Sequence, residues 1–158
     1  MICEAQLTIS KDIKNTGIVV TTDAGDCNDI HPSKREIIAK RLSNMARAKQ
    51  YGFKNLNYKS GEFKSMSVKN NQVTLNFKFQ KNDFFIQRED INGFAIAGWN
   101  KIFYKAEVSF SDNKKRIILY SPNVKTPIAV RYGFKDCFES NLRTNSTLPI
   151  SVFRTDNW

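Results

Sequence analysis

Between Met66 and Phe134 apolar residues recur at every second position; before Gly52 they do not. Met66-Ser67-Val68 leads into Asn70-Asn71, after which Val73, Leu75, Phe77 and Phe79 alternate with polar residues. Alternation on both sides of an Asn-rich pair predicts a hairpin. Asn82-Asp83 breaks the pattern, and Phe84-Phe85-Ile86 predicts a short strand. Phe94 and Ile96 alternate with small residues between Gly93 and Gly98. Ala106, Val108 and Phe110 predict another strand, ended by a turn at 111–113. Two more strands follow, one at 116–120 and one whose face is Ile128, Val130, Tyr132 and Phe134, with Pro122 and Pro127 marking the loop between them. Several short strands separated by turn signals predict a β-sandwich or jelly-roll-like domain. Roughly a hundred residues can bury a core of their own.

Residues 1–52 have a different period. The first twelve are weakly patterned and predict a short helix around 2–7, with a connector at 11–17. Gly17-Ile18-Val19-Val20-Thr21-Thr22 is a continuous β-branched run, which suits a parallel strand covered on both faces. Downstream, Ile38, Leu42, Met45 and Ala46 recur at helical spacing, with Lys34, Arg35, Lys40 and Arg47 largely on other faces. Pro32 fits the first helical position and Gly52 the stop. One strand and one helix cannot close an α/β core, because a parallel strand needs neighbours and covering layers. The expected organisation is therefore an α/β remnant at 1–52, poorly ordered alone or dependent on another chain, followed by an all-β domain at 53–158.

Between that strand and helix lies the only histidine of the chain, His31, with Asp26 and Asp29 just before it. Ligands bind past the carboxyl ends of strands in open α/β sheets. A helix amino terminus also favours the neutral imidazole that a general base requires. A nearby carboxylate can fix its tautomer.

The 25 Lys and Arg outnumber the 15 Asp and Glu, but they are spread along the chain, densest at Lys114-Lys115-Arg116. No basic helix or RNA-binding signature accompanies them, so nucleic acid is not the expected partner. A basic surface can instead attract an anionic sugar. Cys3, Cys27 and Cys137 are odd in number and widely spaced, which predicts neither a disulfide framework nor a zinc site. Cys27 is expected to be a bystander thiol, and its acidic setting makes it a poor nucleophile. No run of apolar residues is long enough to span a membrane. Trp99, Tyr104 and Trp158 are expected to fill core or interface rather than stack on sugar.

Asn15-Thr16-Gly17 followed by Gly25-Asp26-Cys27-Asn28-Asp29-Ile30-His31-Pro32 closely resembles the last sequence block of the sialate O-acetylesterases, which are SGNH (GDSL-like) hydrolases. The resemblance continues through Lys40-Arg41-Leu42, Tyr51-Gly52, Gly93-Phe94-Ala95-Ile96-Ala97-Gly98 and Ala129-Val130-Arg131-Tyr132. It ends at Asn141-Leu142, Leu148-Pro149 and Phe153-Arg154-Thr155-Asp156, so it covers nearly the whole chain. It implies that residues 1–52 close an SGNH-type three-layer domain as strand, catalytic loop and helix. It implies serine-ester chemistry on O-acetylated sialic acid or another acetylated glycan, with no cofactor, in an exported, periplasmic or lysosomal enzyme.

The resemblance makes His31 the catalytic base. The superfamily pattern is Asp-x-x-His, but the residue three before His31 is Asn28. Asp29 is therefore the favoured acid partner, with Asp26 behind it. Cys27 stands where the family has proline. The family's serine block and its oxyanion-hole glycine and asparagine have no match here, and Met1 would fall inside the esterase domain, near Glu4-Ala5-Gln6. This implies the carboxyl-terminal part of a longer enzyme, inactive by itself, whose partner is the upstream part or a complementary chain. The alternative is a non-catalytic carbohydrate-binding or structural β-sandwich. Arg131, Arg154 and Asp156 are expected to pin the carboxyl-terminal tail rather than touch substrate.

Overall fold

The computed structural model describes residues 2–29, 31 and 33–158. Two helices, α1 (Ile2–Asp12) and α2 (Arg35–Lys49), precede eight strands. These are β1 (Glu62–Lys69), β2 (Gln72–Lys78), β3 (Phe94–Ala97), β4 (Phe103–Lys105), β5 (Glu107–Phe110), β6 (Arg116–Tyr120), β7 (Ala129–Tyr132) and β8 (Phe153–Arg154). They form two antiparallel four-stranded sheets, ordered β1-β2-β6-β5 and β4-β3-β7-β8. The chain is thus mostly β, and the two sheets fit the expected sandwich.

The predicted hairpin is present, with Met66 opposite Leu75 and Val68 opposite Val73. Asn70 turns its corner at φ 57°, a left-handed conformation that asparagine tolerates well. β2 buries Val73, Leu75 and Phe77, the face that the alternation selects. The core lies between the sheets: Val73, Leu75, Ile117 and Leu119 from the first meet Phe94, Ile96, Val130 and Tyr132 from the second. Phe63 stacks on Phe153 with ring centroids 4.6 Å apart, and Phe77 meets Phe85 edge-on at 4.9 Å. Such offset and edge contacts add to the burial of the rings themselves.

The expected strand through Ala106 is two strands. The chain changes sheets there, β4 pairing with β3 and β5 with β6. Ala106 is buried at the crossover and donates its N–H to the Phe94 carbonyl at 3.1 Å. The strand expected at 84–86 shrinks to a single bridge between Phe85 and Thr144.

The larger correction concerns residues 1–52. Gly17–Thr22 is not a strand; no strand lies alongside it among the described residues. Its carbonyls bond scattered partners instead of a ladder, Val20 O accepting from the Arg41 side chain at 2.9 Å and Thr22 O from the Ser140 N–H at 2.9 Å. β-Branched residues favour extended backbone, but a ladder needs a partner. α1 is longer than expected and buries none of its residues. α2 follows the expected helix, but its stripe is not a buried face: Leu42 is half exposed, and the one buried residue is charged, Arg41. Pro32, expected at the first helical position, lies outside the described residues, as do Met1 and Ile30 of the resemblance.

The expected tail contacts are present. Arg131 on β7 donates to both carboxylate oxygens of Asp156 at 2.9 and 2.7 Å and to the Trp158 carbonyl at 2.8 Å. Its guanidinium also lies 4.1 Å from the centre of the Phe103 ring. Arg154 pairs with Glu4 of α1 at 2.7 Å, tying the tail to the first helix. A two-residue strand has no period to read; these side chains hold β8 in place.

Candidate functional site

The loop carrying His31 starts from a buried charge. Asp23 is fully buried at the end of the extended segment. Its carboxylate accepts both arms of Arg41, at 2.6 and 2.7 Å, and lies 3.2 Å from Arg143. Arg41 also donates to the Thr147 carbonyl at 3.4 Å. One ion pair thereby joins the loop to α2 and to the 143–147 turn of the β region. A buried carboxylate is tolerated only when paired and fully hydrogen-bonded.

Three further links hold the loop to residues 137–140. The Ser140 N–H donates to the Thr22 carbonyl at 2.9 Å. Lys34 reaches Glu139 at 3.2 Å. Cys27 and Cys137 form a disulfide, with Cα atoms 5.6 Å apart across 110 positions of sequence. This overturns the expectation of a bystander thiol at Cys27. The odd count conceals one pair and one leftover, Cys3, and spacing cannot reveal a pairing that the fold creates. Behind Ser140, the Tyr132 hydroxyl lies 2.6 Å from the Ser140 hydroxyl in the core. Burial pushes the Tyr132 phenol well above its ordinary range, so it stays protonated.

Beyond Gly25 the loop is exposed and shaped by two side-chain turns. The Asn28 N–H donates to Asp26 Oδ1 at 2.8 Å, and the His31 N–H donates to Asp29 Oδ1 at 2.7 Å. Turns of this kind, closed two residues on by an aspartate, are common in loops. The same Asp29 oxygen lies 3.4 Å from His31 Nδ1. Asp29 therefore faces the imidazole, whereas the Asp26 carboxylate is engaged one turn earlier. The His31 side chain is 72% exposed.

α2 begins at Arg35, four positions beyond His31. Dipole effects fade within the first turn, so the expected influence of the helix on the imidazole has little support here. Among the described residues no contact joins His31 to a serine, and no cluster of three His, Cys, Asp or Glu side chains could hold a metal. Nor is any described helix long and apolar enough to cross a membrane.

A polar groove of about 460 Å³ opens between the loop and the 136–139 segment. Asn28 and Ser33, which bracket His31 in sequence, both line it, together with Thr22, Asp26, Lys34 and Glu139. The geometry offers an exposed histidine with a carboxylate 3.4 Å from Nδ1, on a loop whose flanking residues line an open cleft. That arrangement can take a proton from a nucleophile brought to Nε2.

Sequence reasoning placed His31, Asp29 and Asp26 on this loop. It missed what holds the loop: Asp23, Arg143 and the Cys137 half of the disulfide. An acid directly after an extended β-branched run, with an arginine in the following helix, was the available signal.

The fold has a relative of known structure. A crystal structure described as a novel carbohydrate acetylesterase from Xanthomonas citri superposes with a TM-score of 0.86. It shares 33% identity over 98% of this chain, and this chain spans 35% of that protein. None of the family models matches the chain, and none of the curated proteins does. The likeness supports a carbohydrate-esterase relationship.

Proposed function

We propose that this chain supplies the base-bearing part of a carbohydrate O-acetylesterase. His31 is the general base, and Asp29 holds its Nδ1–H. A serine and oxyanion donors come from a segment outside this chain. The serine oxygen attacks the acetyl carbonyl while His31 Nε2 takes its proton. Backbone or side-chain donors stabilise the tetrahedral oxyanion. His31 returns the proton to the departing sugar oxygen, leaving an acetyl-serine. Water, deprotonated by His31, then attacks that ester, and acetate leaves as the serine recovers its proton.

The observation that carries the proposal is the exposed Asp29–His31 pair, on a loop whose neighbouring residues line an open groove, in a chain similar over 98% of its length to part of a carbohydrate acetylesterase. The sequence resemblance names sialic acid as the sugar, and a formal net charge of +10 would favour an anionic substrate. The unpaired segment Gly17–Thr22 and the exposed Ile2, Ile9, Ile13 and Leu42 support assigning 1–52 to a larger SGNH-type α/β domain. Residues 53–158 then form the attached β-sandwich. The partner is the upstream part of the same enzyme, covalently joined or supplied as a second chain. The disulfide supports an oxidising, exported setting.

The test is p-nitrophenyl acetate hydrolysis by the chain alone and after adding a polypeptide that corresponds to the remainder of the Xanthomonas enzyme. The expected result is background hydrolysis alone and restored turnover on mixing. Asp29→Asn should lower that turnover far more than Asp26→Asn. Steady turnover by the isolated chain, abolished in His31→Ala, would overturn the view that the serine lies elsewhere; no recovery on mixing while glycans still bind would favour the non-catalytic sandwich instead.

A further inference from the structure

The opposite end of the second sheet carries a feature that esterase chemistry does not use. β3 runs from the site-loop end, where the Gly133 N–H bonds the Gly93 carbonyl, to the far end, where the Ile128 N–H bonds the Ala97 carbonyl. At that far end the 98–101 turn carries Trp99, which is 78% exposed. The turn is rigid: the Lys101 N–H donates to the Gly98 carbonyl at 2.9 Å, and Asn100 Oδ1 accepts the Ile102 N–H at 3.2 Å. It presses on the loop before β7, because a Cβ at Gly98 would sit 3.2 Å from the Thr126 carbonyl oxygen. That loop is fixed in turn by buried Val124, whose N–H bonds the Ser121 carbonyl at 3.1 Å.

Trp99 is not a core residue, which departs from the core half of the expectation. Tyr104 packs against the core as expected, and the Trp158 ring lies beneath the Lys101 ammonium at 4.9 Å. Between the two loops is a groove of about 320 Å³, lined by Trp99 together with Asn100, Asn123, Lys125 and Thr126. Its size is at the low end of small-ligand sites, roughly 300–1,000 Å³.

Leaving an indole in water forgoes the burial of one of the largest apolar side chains. A protein-docking surface would surround it with further apolar residues at its centre. Here the groove sets amide, hydroxyl and ammonium groups beside it, with Pro122 and Val124 as its further apolar lining. One flat apolar face with hydrogen-bonding groups at its edge complements a pyranose, which has an apolar C–H face and a rim of hydroxyls.

We propose that the Trp99 groove is a second glycan-binding site, in which a sugar ring stacks on the indole while Asn100, Asn123 and Thr126 bond its hydroxyls. Four strand residues of β3 separate this groove from the site-loop end, a rise of about 13 Å. A sugar held here is therefore not the sugar losing its acetyl group at His31. The site holds a longer glycan to the protein and raises the local concentration of its esters near the loop. Its existence does not require His31 to be catalytic.

The experiment is isothermal titration calorimetry with cellohexaose and, separately, with 3′-sialyllactose. It uses the full chain, Trp99→Ala, Asn123→Ala and His31→Ala, each first checked for an unchanged melting temperature. At least one of the two glycans is expected to bind the wild-type chain at millimolar or lower concentration. Trp99→Ala should weaken that binding at least tenfold, Asn123→Ala should weaken it measurably, and His31→Ala should leave it intact. A neutral or an anionic preference identifies the ring and supports the site either way. Failure of both glycans to bind overturns the proposal. So does binding that survives Trp99→Ala, or loss of binding with His31→Ala alone. Failure of the esterase assay leaves these outcomes untouched, so the two claims fail separately.

Discussion

Replacing Arg41 with methionine tests how the site loop is held. Methionine keeps most of the aliphatic stem and removes the guanidinium. Asp23, fully buried, then loses the bonds at 2.6 and 2.7 Å and retains only the partly exposed Arg143 at 3.2 Å. Removing one member of a buried pair costs about 3–5 kcal/mol, because the other charge stays buried without its partner. Arg143 partly compensates, which brings that loss to about 3 kcal/mol. The Val20 carbonyl also loses its donor, worth about 1 kcal/mol more. The expected total is about 3–4 kcal/mol, or roughly 6–16 °C in melting temperature for a chain of this size. The assay is urea unfolding followed by circular dichroism at neutral pH, with the disulfide intact. The double variant Asp23→Leu/Arg41→Met should lose less than the two single losses added together, because neither charge is then buried alone. A loss below about 1 kcal/mol in Arg41→Met, or strict additivity in the double variant, would refute the view that this pair anchors the loop.

Thiol titration of the denatured, unreduced chain should find one reactive cysteine, Cys3, and three after reduction; three at the outset would remove the Cys27–Cys137 link. Cys27→Ser/Cys137→Ser should cost about 2–4 kcal/mol in urea melts, since the bridge closes a long loop in the unfolded chain. Hydrogen bonds from Arg131 hold the Asp156 carboxyl below its usual range, although burial pulls the other way. A carboxyl lowered on folding stabilises above its unfolded pKa, about 4, and that contribution fades as pH falls through the lower folded value. Asp156→Asn should therefore be less stable than wild type at pH 7, and the gap should narrow in melts taken below pH 4.

Where one face of a strand is buried, the fold was legible in the sequence. Val73, Leu75 and Phe77 alternate because the sandwich has an inside, and the Asn70-Asn71 turn follows from the same pattern. At Ala106 the alternation runs on while the chain changes sheets, because a crossover at a small buried residue keeps its period. Gly17–Thr22 misled for the opposite reason: β-branched residues prefer extended backbone, but pairing depends on a neighbour that local sequence does not describe. On α2 the apolar stripe was visible, whereas burial of Arg41 was not, since it depends on Asp23 eighteen positions earlier. The disulfide was hidden by distance, and exposure of Trp99 by the usual rule that large aromatics go inside. The proximity of Asp29 to His31 was legible because one Asx turn spanning two residues brings them together.

The most direct test of the central claim is acetate release from an acetylated oligosaccharide by the reconstituted enzyme, comparing wild type with His31→Ala. If His31 is the base, the substitution lowers kcat by at least about a thousandfold, while glycan binding at the Trp99 groove persists. Acetate release within a few-fold of wild type in His31→Ala would contradict the assignment.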